Sequence, residues 1–188
     1  MAGPKILVFA GSLRTGSFNE TLAAYVARKL TELGAEVTHA SLRDYPMPLY
    51  DGDLEAREGV PERGQAFALL MSQHLGIFIA GPEYNAGITP LMKNTLDWVS
   101  RVDRGSAYKN RIFALGAASD GPRGGYRSLI HTRHVLELGC AAMVQPEMVA
   151  VSGASKAYDE NGELIGPTAK VAANTLSALV ANAKRYAA

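Results

Sequence analysis

At 188 residues the chain is long enough to bury well over half of the surface its unfolded form exposes, so a single domain, residues 1–188, is expected without disulfides or a structural metal. Its 19 basic and 18 acidic residues are spread along the chain and leave a formal charge of +1, which excludes the single-sign field that nucleic-acid or membrane-surface binding needs. One cysteine, Cys140, excludes an internal disulfide framework and fits a reducing compartment, so the cytoplasm is the expected location.

The apolar run Ile6–Ala10 is too short for the hydrophobic region of a signal peptide and reads as a buried first strand, Lys5–Ala10. Ser17 and Glu20 then stand at capping-box spacing, and Leu22, Val26, Leu30 and Leu33 share one face, which predicts a helix ending before Gly34. A second strand follows at Ala35–Ala40. The charged segment Asp51–Glu62 reads as a solvated loop at the rim of a site. Further along come a helix at Pro61–His74, a strand at Leu75–Gly81, and a helix at Pro90–Arg101 with Thr89 as cap and Pro90 at its first position. A strand at Arg111–Ala118, a helix at Gly125–Leu138 and a strand near Ala141–Val151 complete the alternation. Ala172, Leu176, Leu179 and Ala183 give the last helix its apolar face after Pro167.

No stretch approaches the roughly 18 uninterrupted apolar residues of a membrane span, and no internal repeat is visible. Strands that are nearly continuous apolar runs, alternating with helices, predict a parallel α/β sheet covered on both faces. With a phosphate-type loop after the first strand, the order 2-1-3-4-5 in a three-layer sandwich fits best. Its ligand crevice then lies at the carboxyl ends of strands one and three, among the loops after strands one, three and four.

The first of these loops, Gly11-Ser12-Leu13-Arg14-Thr15-Gly16-Ser17-Phe18-Asn19, leads into a helix. Glycine allows tight backbone, helix-start amides attract an anion, Ser12, Thr15, Ser17 and Asn19 offer side-chain donors, and Arg14 supplies full charge. The loop lacks the spacing of both the nucleoside-triphosphate and the dinucleotide glycine motifs, so a terminal monophosphate suits it better. The second loop, Gly81-Pro82-Glu83-Tyr84-Asn85-Ala86-Gly87-Ile88, sets a Tyr and an Asn beside small residues, as the edge of a flat heterocycle with one open face requires.

The pattern G-S-L-R-x-x-S-x-N after strand one, then P-E-Y-N after strand three, then L-M-K-N-T-L-D-W, resembles the NADPH-dependent FMN reductase family, which includes quinone, chromate and azo-dye reductases. The resemblance covers essentially the whole chain. It implies a flavodoxin-like fold, an FMN phosphate held by Ser12, Arg14, Ser17 and Asn19, and a flavin ring over Pro82, Glu83, Tyr84 and Asn85. It also implies that Ser119, Gly121, Gly124 and Gly125, in the loop after strand four, lie near the ring. The family commonly has Pro-Gly where this chain has Thr89-Pro90; the helix is expected to survive the change.

The implied activity is transfer of hydride from NADPH or NADH through FMN to a small-molecule acceptor such as a quinone, free flavin, an azo dye or chromate. One shared ring face makes the kinetics ping-pong. No side chain need act as a catalytic residue, and a homodimer or homotetramer is implied. A flavodoxin-type single-electron carrier and a non-catalytic flavin-binding module are the alternatives. The near-neutral charge and the single ring-loop aromatic, Tyr84, argue against a carrier. No metal is expected, since His131 and His134 have no carboxylate or cysteine at ligand spacing, and His39 and His74 have no companions. Asp97 and Arg101 are placed to pair, and Trp98 and Cys140 read as buried.

Overall fold

The computed structural model describes residues 3–186. Its order is β1 (Lys5–Ala10), α1 (Phe18–Glu32), β2 (Glu36–Ser41), α2 (Gly52–Glu58), α3 (Glu62–Ser72), β3 (Gly76–Ala80), β4 (Glu83–Tyr84), β5 (Gly87–Ile88), α4 (Pro90–Arg101), β6 (Ile112–Ser119), α5 (Tyr126–His134), β7 (Met143–Ser152) and α6 (Pro167–Tyr186). Five strands form a parallel sheet in the order β2-β1-β3-β6-β7, which is the expected 2-1-3-4-5 arrangement and a flavodoxin-like three-layer sandwich. β4 and β5 pair separately as a two-residue hairpin.

The continuous apolar strands follow from the pleat, which sends alternate residues to opposite faces. Ile6, Val8 and Ala10 of β1 pack with Leu22, Val26 and Leu30 of α1 and Leu176 and Leu179 of α6. Leu7 and Phe9 face the other way, against Phe67 and Met71 of α3 and Met92, Leu96 and Val99 of α4. Two cores thus clamp the sheet and bring the carboxyl ends of β1, β3 and β6 to one edge.

Several expectations shift in detail. Leu33 is the carboxyl cap of α1 and 42% exposed, so it lies outside the buried stripe. The capping box does not close: Ser17 Oγ accepts from the Asn19 amide at 3.3 Å, and Glu20 turns instead to His39 Nε2 at 3.2 Å. The segment read as a loop, Asp51–Glu62, holds a sixth helix, α2, capped by Asp51 and burying none of its residues. α5 stops at His134, where a π-helical turn, Val135–Gly139, takes over. Asp97 pairs with Lys93 rather than Arg101, which reaches Glu55 of α2.

Candidate functional site

At the carboxyl ends of β1, β3 and β6 lies a crevice of about 290 Å3. Ser12, Arg14, Ser17 and Asn19 line it from the first loop, Pro82, Glu83 and Tyr84 from the second, and Ser119 from the third, joined by Phe18, Ala118 and Asp120. Its position is the topological switch point, where the connections from β1 and β3 leave the sheet in opposite directions.

The first loop is an open set of donors. The backbone amides of Thr15, Gly16 and Phe18 have no acceptor among the described residues. Ser12 Oγ accepts from the Arg14 amide at 3.2 Å, which leaves its hydroxyl proton free to point into the crevice. Arg14 is exposed and its guanidinium stands 5.7 Å from the Phe18 ring centroid, so its charge is not spent on a carboxylate. Asn19 differs from the others. It is only 4% exposed, and its side-chain amide donates to Ala118 O at 2.9 Å and accepts from Ala118 N at 3.0 Å.

The second loop is the β4–β5 hairpin. Asn85 and Ala86 are its two central residues, with φ of +50° and +66°, the pairing a twisted two-residue turn needs. Tyr84 beside the turn is 51% exposed. The Glu83 carboxylate points away from solvent toward α5. Arg127 Nε donates to it at 2.8 Å and the Arg127 amide at 3.0 Å, and this grip holds the carboxyl below the usual range. At the other end Thr89 is buried. Its hydroxyl accepts from the Met92 amide at 3.3 Å and donates to Gly11 O at 3.1 Å, so the cap of α4 also ties the hairpin to the first loop. The departure from Pro-Gly therefore leaves the helix intact and adds a bond.

In the third loop Ser119 Oγ accepts from the Gly121 amide at 3.1 Å. Asp120 accepts from the Ser155 amide at 2.7 Å, which lowers its carboxyl. Gly124 and Gly125 have φ of +57° and +81°. A Cβ on either would stand 2.7 Å from the Val151–Ser152 backbone or from Ala117 Cβ, so close packing alone demands glycine at both.

The L-M-K-N-T-L-D-W run acts at a distance from the crevice. Asn94 Nδ2 and Trp98 Nε1 both donate to Pro48 O, at 2.9 and 2.8 Å, and Asn94 Oδ1 accepts from the Tyr50 amide at 2.7 Å. Trp98 is fully buried and Cys140 half-buried. His131 and His134 are exposed, His131 lying against Gly87 of the hairpin. His74, read as lacking companions, is buried and bonded at both ring nitrogens, to Leu70 O at 2.7 Å and Thr38 Oγ1 at 2.8 Å. No cluster of three or more His, Cys, Asp or Glu able to hold a metal occurs among the described residues. No helix of the described residues is long and apolar enough to cross a membrane.

Sequence reasoning missed Arg127 and Asp120 as organisers of the site, and it read Thr89 as the cap of α4 without its second bond, to Gly11 O. Each of these contacts joins residues far apart in the chain, where no local pattern marks them.

Comparison with known proteins agrees with this fold. Residues 4–156 match the model of the family described as NADPH-dependent FMN reductase. A quinone reductase of Escherichia coli (strain K12) is 34% identical over 164 residues, 86% of this chain and 85% of that protein. A 2-hydroxy-1,4-benzoquinone reductase of Burkholderia sp is 33% identical over 163 residues, 86% and 85% of the two chains. Among solved structures, the flavoenzyme NAD(P)H:(acceptor) oxidoreductase of Paracoccus denitrificans superimposes with a TM-score of 0.80 at 25% identity, covering 97% of this chain and 98% of that one.

Proposed function

The chain belongs to the NADPH-dependent FMN reductase family, and from that premise we propose that this FMN-dependent NAD(P)H:acceptor oxidoreductase reduces quinones, with nicotinamide and quinone taking turns over one open flavin face. The observation that carries this reading is the convergence, in one crevice, of an uncommitted anion-binding loop and a hairpin fixed at both ends.

The residues present fit FMN. A phosphate monoester needs several donors and no facing free carboxylate. The amides of Thr15, Gly16 and Phe18, the hydroxyls of Ser12 and Ser17 and the Arg14 guanidinium supply donors, while both carboxylates that line the crevice are engaged, Glu83 by Arg127 and Asp120 by Ser155. Bound there, FMN would supply the two-electron centre that accepts hydride from NADPH or NADH and returns it to the acceptor. Pro82, Tyr84, Asn85, Ser119 and Gly121 would border the ring, and Glu83, Gly124 and Gly125 would set the shape of that border. Preorganised amides of these loops would stabilise negative charge on the bound ring without reorganising. Exposed Tyr84 stands at the open side, where a flat apolar acceptor stacks. No side chain is assigned as a catalytic residue.

The quinone assignment takes its support from relatives named as quinone reductases, and NADPH from the family. A homodimer or homotetramer is what the family resemblance implies. A cytoplasmic location rests on the single free Cys140.

The test is steady-state turnover of FMN-reconstituted protein with NADPH or NADH and benzoquinone. Parallel double-reciprocal lines and a yellow, FMN-loaded protein are expected. A chain that takes up no FMN, or intersecting lines, overturns the reading.

A further inference from the structure

β6 runs three residues, Ala117 to Ser119, beyond the partner of the last residue of β3. Ala80 pairs with Gly116, and the Gly81 amide still donates to Gly116 O at 2.7 Å. At Pro82 the β3 chain turns away to form the hairpin. In a parallel ladder the peptide groups that face a given neighbour recur every second residue, so the amide and carbonyl of Ala118 point into the gap that β3 has left. The side chain of Asn19 fills this gap. Its Nδ2 donates to Ala118 O and its Oδ1 accepts from Ala118 N, as the residue 83 amide and the residue 81 carbonyl of a continued β3 would have done.

We propose that Asn19 is a positioning residue of the flavin crevice and not a ligand of its phosphate. The carboxamide substitutes for the missing strand, fixes the carboxyl end of β6 to the first turn of α1, and so holds Ala118, Ser119 and Asp120 at the distance from Pro82–Tyr84 that the ring requires. At neutral pH a carboxamide offers the donor and the acceptor side by side that this geometry needs, which an ionised carboxylate or an apolar side chain does not. Both partners are buried, so leaving Ala118 unpaired is costly and the third loop relaxes to find other donors. The proposal rests on the reading of the crevice as an FMN site, and it reassigns a residue that the family pattern groups with the phosphate ligands.

The test compares FMN with riboflavin, which keeps the ring and lacks the phosphate, by fluorescence titration of the apoprotein. A positioning role predicts that Asn19→Ala weakens both ligands by the same factor, roughly tenfold for a lost buried pair of hydrogen bonds. The FMN-to-riboflavin ratio stays at its wild-type value, whereas Arg14→Ala collapses that ratio. Loss confined to FMN, or no loss for either ligand, overturns the proposal.

Asn19→Asp provides a second arm should Asn19→Ala fail to fold. Its carboxylate opposes Ala118 O at neutral pH, but its protonated carboxyl restores donor and acceptor. Riboflavin affinity relative to wild type must therefore recover as pH falls; a flat profile refutes the proposal. Wild-type protein that binds FMN and riboflavin equally, or neither, would instead bring down the FMN reading itself.

Discussion

Thr89→Val removes one hydroxyl and keeps the shape of the side chain, which isolates the bond between the hairpin and the first loop. Two interactions vanish. The α4 cap loses its acceptor for the Met92 amide, worth about 0.5–2 kcal/mol for a Thr cap. The buried Gly11 carbonyl loses its donor, which costs about 1–3 kcal/mol. The added methyl returns under about 1 kcal/mol. The net loss is therefore roughly 0.5–5 kcal/mol, with a midpoint of about 3 kcal/mol. For a chain of this length that midpoint lowers Tm by roughly 6–12 °C. Urea titration of the apoprotein should show the midpoint falling at unchanged slope. Thr89→Ser keeps both bonds and gives up a methyl, so it should cost about 1 kcal/mol. A Val variant within about 0.5 kcal/mol of wild type, or a Ser variant as unstable as Val, refutes the assignment of the hydroxyl as a tie.

Arg14→Ala should weaken FMN binding by about 1.5–3 kcal/mol, the worth of a charge-assisted bond to phosphate, read by flavin fluorescence; unchanged affinity would place the phosphate elsewhere. Ala86→Gly should raise stability by about 0.5–1 kcal/mol in chemical denaturation, because φ of +66° strains alanine and not glycine. For His74, burial pushes the imidazole down from its usual value. The Leu70 carbonyl can only accept, so the ring donates from Nδ1 and receives the Thr38 hydroxyl at Nε2, which is its neutral form. The unfolded chain thus takes up the proton first as pH falls. His74 stabilises fully above about pH 6.5, and that contribution is lost as pH falls toward the depressed folded-state value. Stability of wild type measured between pH 7.5 and 5 should slope downward with acidification, and His74→Gln should remove that part of the slope.

The sheet was legible in the sequence because strands buried on both faces leave unbroken apolar runs; Lys5–Ala10 and Pro90–Arg101 even have the expected ends. α2 escaped because it buries nothing and so carries no periodicity. The hairpin escaped because Ala86 occupies a position where glycine ordinarily announces the turn. At the site, Asn85, Gly121, Gly124 and Gly125 lie outside the crevice lining while the other expected residues line it, and their work divides along lines that only packing reveals. Gly124 and Gly125 read as glycines of a ligand loop, and their neighbours are Val151, Ser152 and Ala117. Asn19 reaches a partner 99 residues away, a distance at which no spacing rule operates.

The hairpin stands between two fixed posts, Glu83 held by Arg127 and Thr89 held by Gly11. The four residues from Tyr84 through Gly87 form its tip, and none of them carries the tie at either post. That tip is an interchangeable part. On the proposed FMN reading, exchanging it for another of equal length should alter what the open side of the crevice accepts while the first loop stays as it is. A descendant of this chain, natural or made in the laboratory, would then change its acceptor by altering a stretch of sequence shorter than a single turn and a half of helix.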